Sequence, residues 1–459
     1  MSSESRPIDQ NLRVAYLTAG AAGMYCGSCL VDNALVLAMR HQGANVQLLP
    51  TYTPIRTDEE NISTDQVFFG GINIYLQQKI PFFRFLPPFL DRIFDNPRLI
   101  QMATKKSTSI DAKFLGALSH SMLLGKHGHQ RKEGLRLCRW LRDHLRPEVI
   151  VLSNVLIAGF LPTLKELLPE TTIVVTLQGD DIFLNELSQN YRKKCLDQIK
   201  KLHPFVDGYL LHSDYYKNYM TDLLEIPPEK CHLVPLGLNL DDFTDSQRPL
   251  VRTSSSANNA GRLDKVPSHP FMIGYLARLA PEKGLHLLVD AFIELKKTTS
   301  LDVHLKIAGW LGDHRIDYAQ EQFDKLAEAG LQESYEYVGS VDRQQKLEFL
   351  QSIDLLSVPT TYPEPKGLFA LEAVACGVPT LLPDHGALPE LTGELKCGLL
   401  FDTDDPADLL KGLQTIITDT ELYNRLKIAG RENLFRLRNN QDLAKRHLQI
   451  YSDLRQNQG

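Results

Sequence analysis

The sequence predicts an α/β protein built from two parallel-sheet domains, and three observations carry that prediction. The chain has 459 residues, more than one simple core accommodates. Short β-branched runs alternate with amphipathic helical stretches along most of its length. The alternation stops at a polar stretch past the middle of the chain and then restarts. Composition agrees: 43% hydrophobic and 23% charged residues describe a globular chain and exclude disordered, collagen-like and disulfide-scaffold classes.

In the first half, strands are expected at residues 13–17, 46–49, 149–152, 173–177, 208–211 and 232–234. They read as continuous apolar runs, as strands covered on both faces do. A glycine-rich turn follows the first strand. A helix then runs from Val31 to about His41, with Val31, Leu35, Ala38 and Met39 at helical spacing and a stop at Gly43. Residues 53–130 break the rhythm with Gly70-Gly71 and the aromatic, proline-punctuated stretch 80–94, IPFFRFLPPFLDRIF. Such aromatics suit a helical insertion packed on its own domain, their usual fate, or else an acceptor-site lid or a peripheral membrane contact through 80–94.

Residues 246–270 carry Ser254-Ser255-Ser256, Asn258-Asn259 and Gly261 without apolar periodicity, and read as a linker. Strands resume at 271–276, 303–308, 335–338, 355–358, 378–381 and 398–401, followed by helices at about 407–418 and 421–451. The expected organisation is a first domain of residues 1–245 with the insertion at 53–130, the linker, a second domain of 271–430, and a terminal helix within 431–459.

Lys and Arg total 50 against 56 Asp and Glu, a net charge of −6, so bulk charge gives no argument for a nucleic-acid partner. No apolar run approaches the roughly 18 residues of a membrane span. The start MSSESRPIDQ lacks the basic and apolar regions of a signal peptide, and seven cysteines, an odd number, suit reduced thiols. A cytoplasmic protein is expected.

Residues 359–390 hold the most chemistry. Pro363 and Pro365 keep Glu364 in an extended loop, and a helix begins near Gly367. The amides of Gly367, Leu368 and Phe369 then form a helix N-terminus that suits a phosphate or a sugar hydroxyl. Glu372, one turn inside, can accept from hydroxyls, as an ionised carboxylate does. The plainer reading is a capping carboxylate and a solvated helix Glu. In residues 274–288 a strand runs out to Arg278, and Lys283 precedes Gly284 at a helix start. Two cations on one strand-to-helix loop suit a diphosphate, although such side chains are usually just solvated.

These two stretches, in this order, resemble the large family of retaining nucleotide-sugar glycosyltransferases of the GT-B fold, the glycosyl transferases group 1. The family's hallmarks are an Arg…Lys-Gly diphosphate loop and an E-x7-E motif. The resemblance continues through residues 307–309, 337–339, 354–359 and 386–390, and in the first half through 14–43, 177–180, Ser213 and 234–243. It leaves 53–130 and the linker unmatched. It implies two Rossmann-like doubly wound domains facing a central cleft, with the last helix crossing back to the first domain. The implied activity is transfer of a hexosyl group from a nucleoside-diphosphate sugar to an acceptor hydroxyl with retention.

On that resemblance Arg278 and Lys283 hold the diphosphate, Glu364 touches the donor sugar and Glu372 the ribose. Gly367, Leu368 and Phe369 complete the cradle, Lys366 adds a charge beside the sugar, and Gly23, Gly309 and Val338 line the donor. Gln178 and Asp180 face the acceptor or a sugar hydroxyl. No metal and no cofactor beyond the donor is expected. The acceptor would be a small molecule, a glycan or a lipid-linked sugar, and nucleic acid is not expected as a partner.

The chain departs from the family pattern in three places. Gln178 stands where a His is common, and a side chain that cannot titrate has no general acid–base role. Lys366 replaces the usual aromatic, and Gly237-Leu238-Asn239 replaces Gly-Val-Asp. Cys26 and Cys29 form a C-x-x-C that suits redox or metal chemistry or, more plainly, close ligand approach past small residues; there is no second C-x-x-C for a structural zinc. His127-Gly128-His129 beside Lys126, Arg131 and Lys132 suits an anionic acceptor or a solvated helix start. Asp402-Thr403-Asp404 spells D-x-D, yet just before Pro406 it reads as a turn and helix cap. The rival readings are a nucleotide-sugar epimerase and a catalytically silent nucleotide-sugar-binding module.

Overall fold

The computed structural model describes residues 12–20, 27–57, 59–64, 67, 68, 74, 77–79, 83, 112–243 and 270–457. Gly23, Cys26, residues 246–269 and all of 80–94 except Phe83 lie outside the described residues. The chain forms two compact units, Met1–Asn239 with Asn440–Gly459, and Leu240–Asn439.

The first unit holds strands β1 (Arg13–Thr18), β2 (Asn45–Pro50), β3 (Val149–Leu152), β4 (Thr172–Thr176), β5 (Gly208–Leu211) and β6 (Cys231–Leu233). They form one parallel sheet in the order β2-β1-β3-β4-β5-β6. Successive side chains of a strand enter opposite faces. Accordingly Ala15, Leu17, Ile150, Leu152, Ile173 and Val175 join one buried cluster. Val14, Tyr16, Val149, Val151 and Val174 join the other. Both faces being covered explains why these runs lack a polar alternate.

The helices of this unit are α1 (Gly27–His41), α2 (Ala112–Leu123), α3 (Arg131–Trp140), α4 (Leu161–Leu167), α5 (Asp180–Glu186), α6 (Gln189–Lys200) and α7 (Asp214–Leu224). α2 falls within the stretch expected as an insertion. α1 starts four residues earlier than its apolar spacing predicts, because Gly27 and Ser28 in its first turn are exposed or half-buried and carry no apolar signature.

The second unit holds β7 (Phe271–Leu276), α8 (Leu285–Thr298), β8 (Val303–Ala308), α9 (Ile316–Glu328), β9 (Tyr335–Tyr337), α10 (Arg343–Ser352) and β10 (Leu355–Ser357). It continues with α11 (Leu368–Ala375), β11 (Thr380–Pro383), α12 (Leu388–Leu395), β12 (Gly398–Phe401), α13 (Pro406–Thr418) and α14 (Thr420–Leu437). Its sheet is also parallel, ordered β12-β11-β10-β7-β8-β9. From β7 the chain winds outward to β9 and returns on the other side of β7 as β10. The carboxyl ends of β7 and β10 are therefore the topological switch point, where open α/β sheets bind ligands.

The helix expected over 421–451 is two helices. α14 ends at Leu437, and α15 (Asn440–Gln456) begins after Arg438 and Asn439. The Asn439-Asn440 pair propagates a helix poorly, and the Asn440 N–H bonds the Leu238 carbonyl at 2.9 Å. α15 buries Leu443, Ala444, Leu448 and Tyr451 in the core of the first unit. Among the described residues no helix is long and apolar enough to cross a membrane.

Candidate active site

The loops after β7 and β10 carry the side chains that the sequence singles out, and their backbones touch. The Thr361 N–H donates to the Glu282 carbonyl at 3.0 Å. Gly284, at φ +72°, lies where a Cβ would meet the Pro359 carbonyl oxygen at 1.7 Å, so only glycine allows this approach. The next strand over adds the same device: Gly386, at φ +67°, would drive a Cβ to 2.6 Å from the Glu364 N and O. The Ala387 N–H completes the clamp by bonding the Glu364 carbonyl at 2.8 Å. Glu364 is thus pinned through its backbone from two sides.

Its side chain is only 8% exposed, and it is ionised. Lys283 Nζ donates to Glu364 Oε2 at 2.8 Å, and the Tyr362 hydroxyl donates to the same oxygen at 2.7 Å. Lys283 Nζ also donates to the Tyr362 hydroxyl at 2.5 Å and stands over the Tyr362 and Phe369 rings, 4.8 and 5.8 Å from their centroids. Oε1 meets the N–H groups of Lys366 and Gly367, each at 3.4 Å. Burial alone would raise this carboxyl. Lys283, the Tyr362 hydroxyl and the charge of Lys366 outweigh it and hold the group at about 2. A carboxylate so occupied and so acidic is a poor base and a poor nucleophile at neutral pH.

Arg278 lies at the same loop edge with its side chain 54% exposed, and its guanidinium meets Glu282 at 3.4 Å. Gly367 is the N-cap of α11, so the amides of Leu368 and Phe369 open that helix. Glu372, one turn further on, is buried and takes Lys346 Nζ on Oε1 at 2.5 Å. Lys346 was not singled out from the sequence. The available signal was its place on the buried face of α10, one turn before Phe349 and Leu350, where a cation requires a partner. Tyr362 was missed as well, although it sits inside the Pro-rich loop beside Glu364. Gly309 and Val338 extend the same edge: the Gly309 N–H bonds the Gly339 carbonyl at 2.9 Å, and the Val338 N–H bonds the Ile307 carbonyl at 2.9 Å.

In the first unit Gln178 follows β4 and is 4% exposed. Its Nε2 donates to Asp32 Oδ1 at 3.0 Å and to the Ser153 carbonyl at 3.3 Å, while its buried Oε1 accepts no hydrogen bond. Asp32, on α1, also accepts from the Thr18 hydroxyl at 2.7 Å and the Tyr16 hydroxyl at 3.0 Å. Burial pushes Asp32 up to about 6 despite those donors. The sequence reading passed over Asp32, whose signal was an acid inside an otherwise apolar helical run. Asp180 uses Oδ1 on the Val155 N–H at 2.7 Å and Oδ2 on the Gln178 N–H at 3.1 Å, so its carboxylate fixes the backbone around Gln178. Burial pushes it to about 6 as well.

Cys29 is buried, with the Thr18 hydroxyl 3.9 Å from its sulfur. The Asp404 N–H donates to Asp402 at 2.8 Å, and Asp405 caps α13 through the Ala407 N–H at 3.0 Å, so the D-x-D stretch serves a turn and a helix start. Among the described residues no three His, Cys, Asp or Glu side chains gather as a metal cluster.

The family model described as glycosyl transferases group 1 matches residues 264–433. A D-inositol 3-phosphate glycosyltransferase of Stackebrandtia nassauensis is 25% identical over 223 residues, 48% of this chain and 48% of that protein. One of Corynebacterium efficiens is 30% identical over 163 residues, 35% of this chain and 38% of that protein. The chain spans about half the length, or less, of these relatives. Among solved structures, Anabaena HepE in complex with UDP superposes with a TM-score of 0.63 at 17% identity, covering 96% of this chain and 100% of that one. Sucrose-phosphate synthase of Thermosynechococcus elongatus gives 0.65 at 18% identity, covering 96% and 99%. At these identities the likeness is one of fold, and that fold is GT-B.

Proposed function

We propose, from the match of residues 264–433 to the glycosyl transferases group 1 family, that the chain is a glycosyltransferase that takes its sugar from a nucleoside diphosphate donor and retains the anomeric configuration. The observation that supports this best is the Lys283–Glu364–Tyr362 cluster at the switch point, beside Arg278 and the first turn of α11. A Lys ammonium has three donors. Two are held by Glu364 and Tyr362, so the third is left for a phosphate oxygen in a fixed place. Arg278, half-exposed, closes on the same diphosphate with its planar fork.

As the bond between sugar and phosphate breaks, negative charge grows on the departing diphosphate. Arg278, Lys283 and the amides of Leu368 and Phe369 stabilise it there, and stabilisation of this kind supplies most of such a rate enhancement. Glu364 orients Lys283 and accepts hydroxyl protons of the sugar. Glu372, with Oε1 on Lys346, accepts from the ribose with its other oxygen. No carboxylate in the cluster is placed as a nucleophile, which supports attack by the acceptor on the face the diphosphate leaves. UDP in Anabaena HepE suggests a uracil nucleotide as the first donor to try. In the first unit Gln178 Oε1 would accept from an acceptor or sugar hydroxyl.

The test incubates the chain with a panel of UDP-, GDP- and ADP-sugars and follows release of the diphosphate. Proton NMR of the product, from a supplied acceptor or from slow transfer to water, reads the configuration. Release from one donor with the anomer retained is expected. An inverted product contradicts the retaining reading, and no release from any donor contradicts the transferase reading.

A further inference from the structure

The loop between β8 and α9 carries an aromatic ring that has no role in the account so far. Among the described residues four large hydrophobic side chains are exposed, Ile182, Leu301, Trp310 and Ile316, and the last two flank this loop. A single exposed apolar residue is ordinary. Trp310 differs because its backbone is fixed at the ligand-binding edge of the sheet. The carbonyls on either side of it are both bonded: the Tyr337 hydroxyl donates to the Gly309 carbonyl at 3.0 Å, and the Leu279 N–H donates to the Trp310 carbonyl at 3.0 Å. A Cβ at Gly309 would meet the Ala277 carbonyl oxygen at 1.7 Å, so this loop runs hard against the backbone that leads to Arg278. The two loops also meet through charge, with Glu282 at 3.4 Å from Arg278 and 3.9 Å from Arg315. The Trp310 residue is 39% exposed, and its indole lies over Gly312. A Cβ added there would come within 2.6 Å of the indole and 3.0 Å of the His314 imidazole.

We infer that Trp310 stacks on the base of the donor nucleotide, an assignment that rests on the nucleoside diphosphate donor proposed above and says which side chain tells it from other diphosphates. A diphosphate held by Arg278 and Lys283 fills the switch point between β7 and β10. β8 is the next strand on the other side of β7, and one backbone hydrogen bond joins Trp310 to Leu279, the residue after Arg278. Cations at one place and a fixed, flat, polarisable surface at the next match a molecule that joins a diphosphate to an aromatic ring. A bare diphosphate would leave the indole in water, and a flexible apolar chain would gain nothing from a ring that an aliphatic side chain could not give. Every base has a π-face, so the stack selects a nucleotide as such and does not by itself choose the base. Because the flanking carbonyls are bonded and the indole rests on Gly312, little freedom of the platform is lost on binding.

The chain has two tryptophans, and Trp140 lies in the first unit against Phe68 and His144. In a Trp140→Phe background all indole emission therefore comes from Trp310. Titration of that full chain with UDP, GDP, ADP and inorganic pyrophosphate tests the stack. At least one nucleoside diphosphate should quench the emission saturably, and pyrophosphate should displace it without quenching. In calorimetry Trp310→Ala should weaken that nucleoside diphosphate about 10-fold and leave pyrophosphate unchanged. Trp310→Phe should recover most of the loss and Trp310→Leu should not, which separates a stack from mere apolar cover. Thermal melting checks that each variant folds. Nucleoside diphosphate binding without quenching, an undiminished Trp310→Ala variant, an equal loss of pyrophosphate affinity, or a Leu variant as good as the Phe variant would each overturn the assignment and leave the donor site standing. Binding of no nucleoside diphosphate by the wild type would contradict the donor reading itself, and the stack with it.

Discussion

Lys283 and Glu364 form a buried ion pair whose members answer different needs: the carboxylate fixes the ammonium, and the ammonium keeps the carboxylate ionised. Lys283→Ala leaves an uncompensated buried charge and should lower stability by about 3–5 kcal/mol, as broken buried pairs do. Pairing Lys283→Ala with Glu364→Gln should recover most of that loss in urea denaturation without recovering diphosphate binding. Recovery of both would place the phosphate contact elsewhere. Glu364 titrates below its ordinary 4.5 in the folded chain, so its contribution is present above that pH and is lost as pH falls toward about 2.

Asp32 has the opposite sign. Its folded carboxyl holds a proton up to about 6 against an ordinary 3.8, so raising the pH through that window removes stability. Wild-type protein should therefore lose about 2 kcal/mol relative to Asp32→Asn between pH about 4 and 6, at 1.36 kcal/mol per unit of pKa shift. A pH-independent difference in denaturation midpoints would contradict this. The residues missed in the sequence, Asp32, Lys346 and Tyr362, share one trait. Each acts through a partner distant in sequence or across a loop, which spacing alone does not reveal. Arg278, Lys283, Glu364 and Glu372 were legible because loop chemistry is local: prolines, a glycine and a helix start mark them in the chain itself.

Among the elements, the clamp on the Glu364 loop is made by backbone and not by side chains. Gly386→Ala places a Cβ 2.6 Å from Glu364 backbone atoms at a positive φ, and such strain costs on the order of 1–3 kcal/mol. It should lower the melting temperature and cut turnover together. Gly393→Ala, inside α12 with no atom within 4 Å of the added Cβ, should stabilise by about 0.5–1 kcal/mol and leave turnover alone. Equal behaviour of the two variants would show that the clamp does not position Glu364. Strands were readable here because double burial leaves unbroken apolar runs. The break between α14 and α15 was not, since both helices keep an apolar period across it and the Asn440 bond to Leu238 is a tertiary contact.

For the molecule as a whole, the described residues form two parallel sheets of six strands each, which create two switch points, and Arg278, Lys283, Glu364 and Glu372 gather at the one between β7 and β10. The division into halves was visible as an interruption of the β–α alternation, whereas strand order was not, because parallel strands adjacent in space are distant in sequence. The measurement that tests the account most directly is calorimetric titration of the full chain with UDP, GDP and ADP, beside Lys283→Ala paired with Glu364→Gln. Saturable binding of one diphosphate by the wild type, lost in the folded double variant, is the predicted result. Binding of none of them, or undiminished binding by the double variant, would contradict the placement of the donor at Lys283 and Glu364.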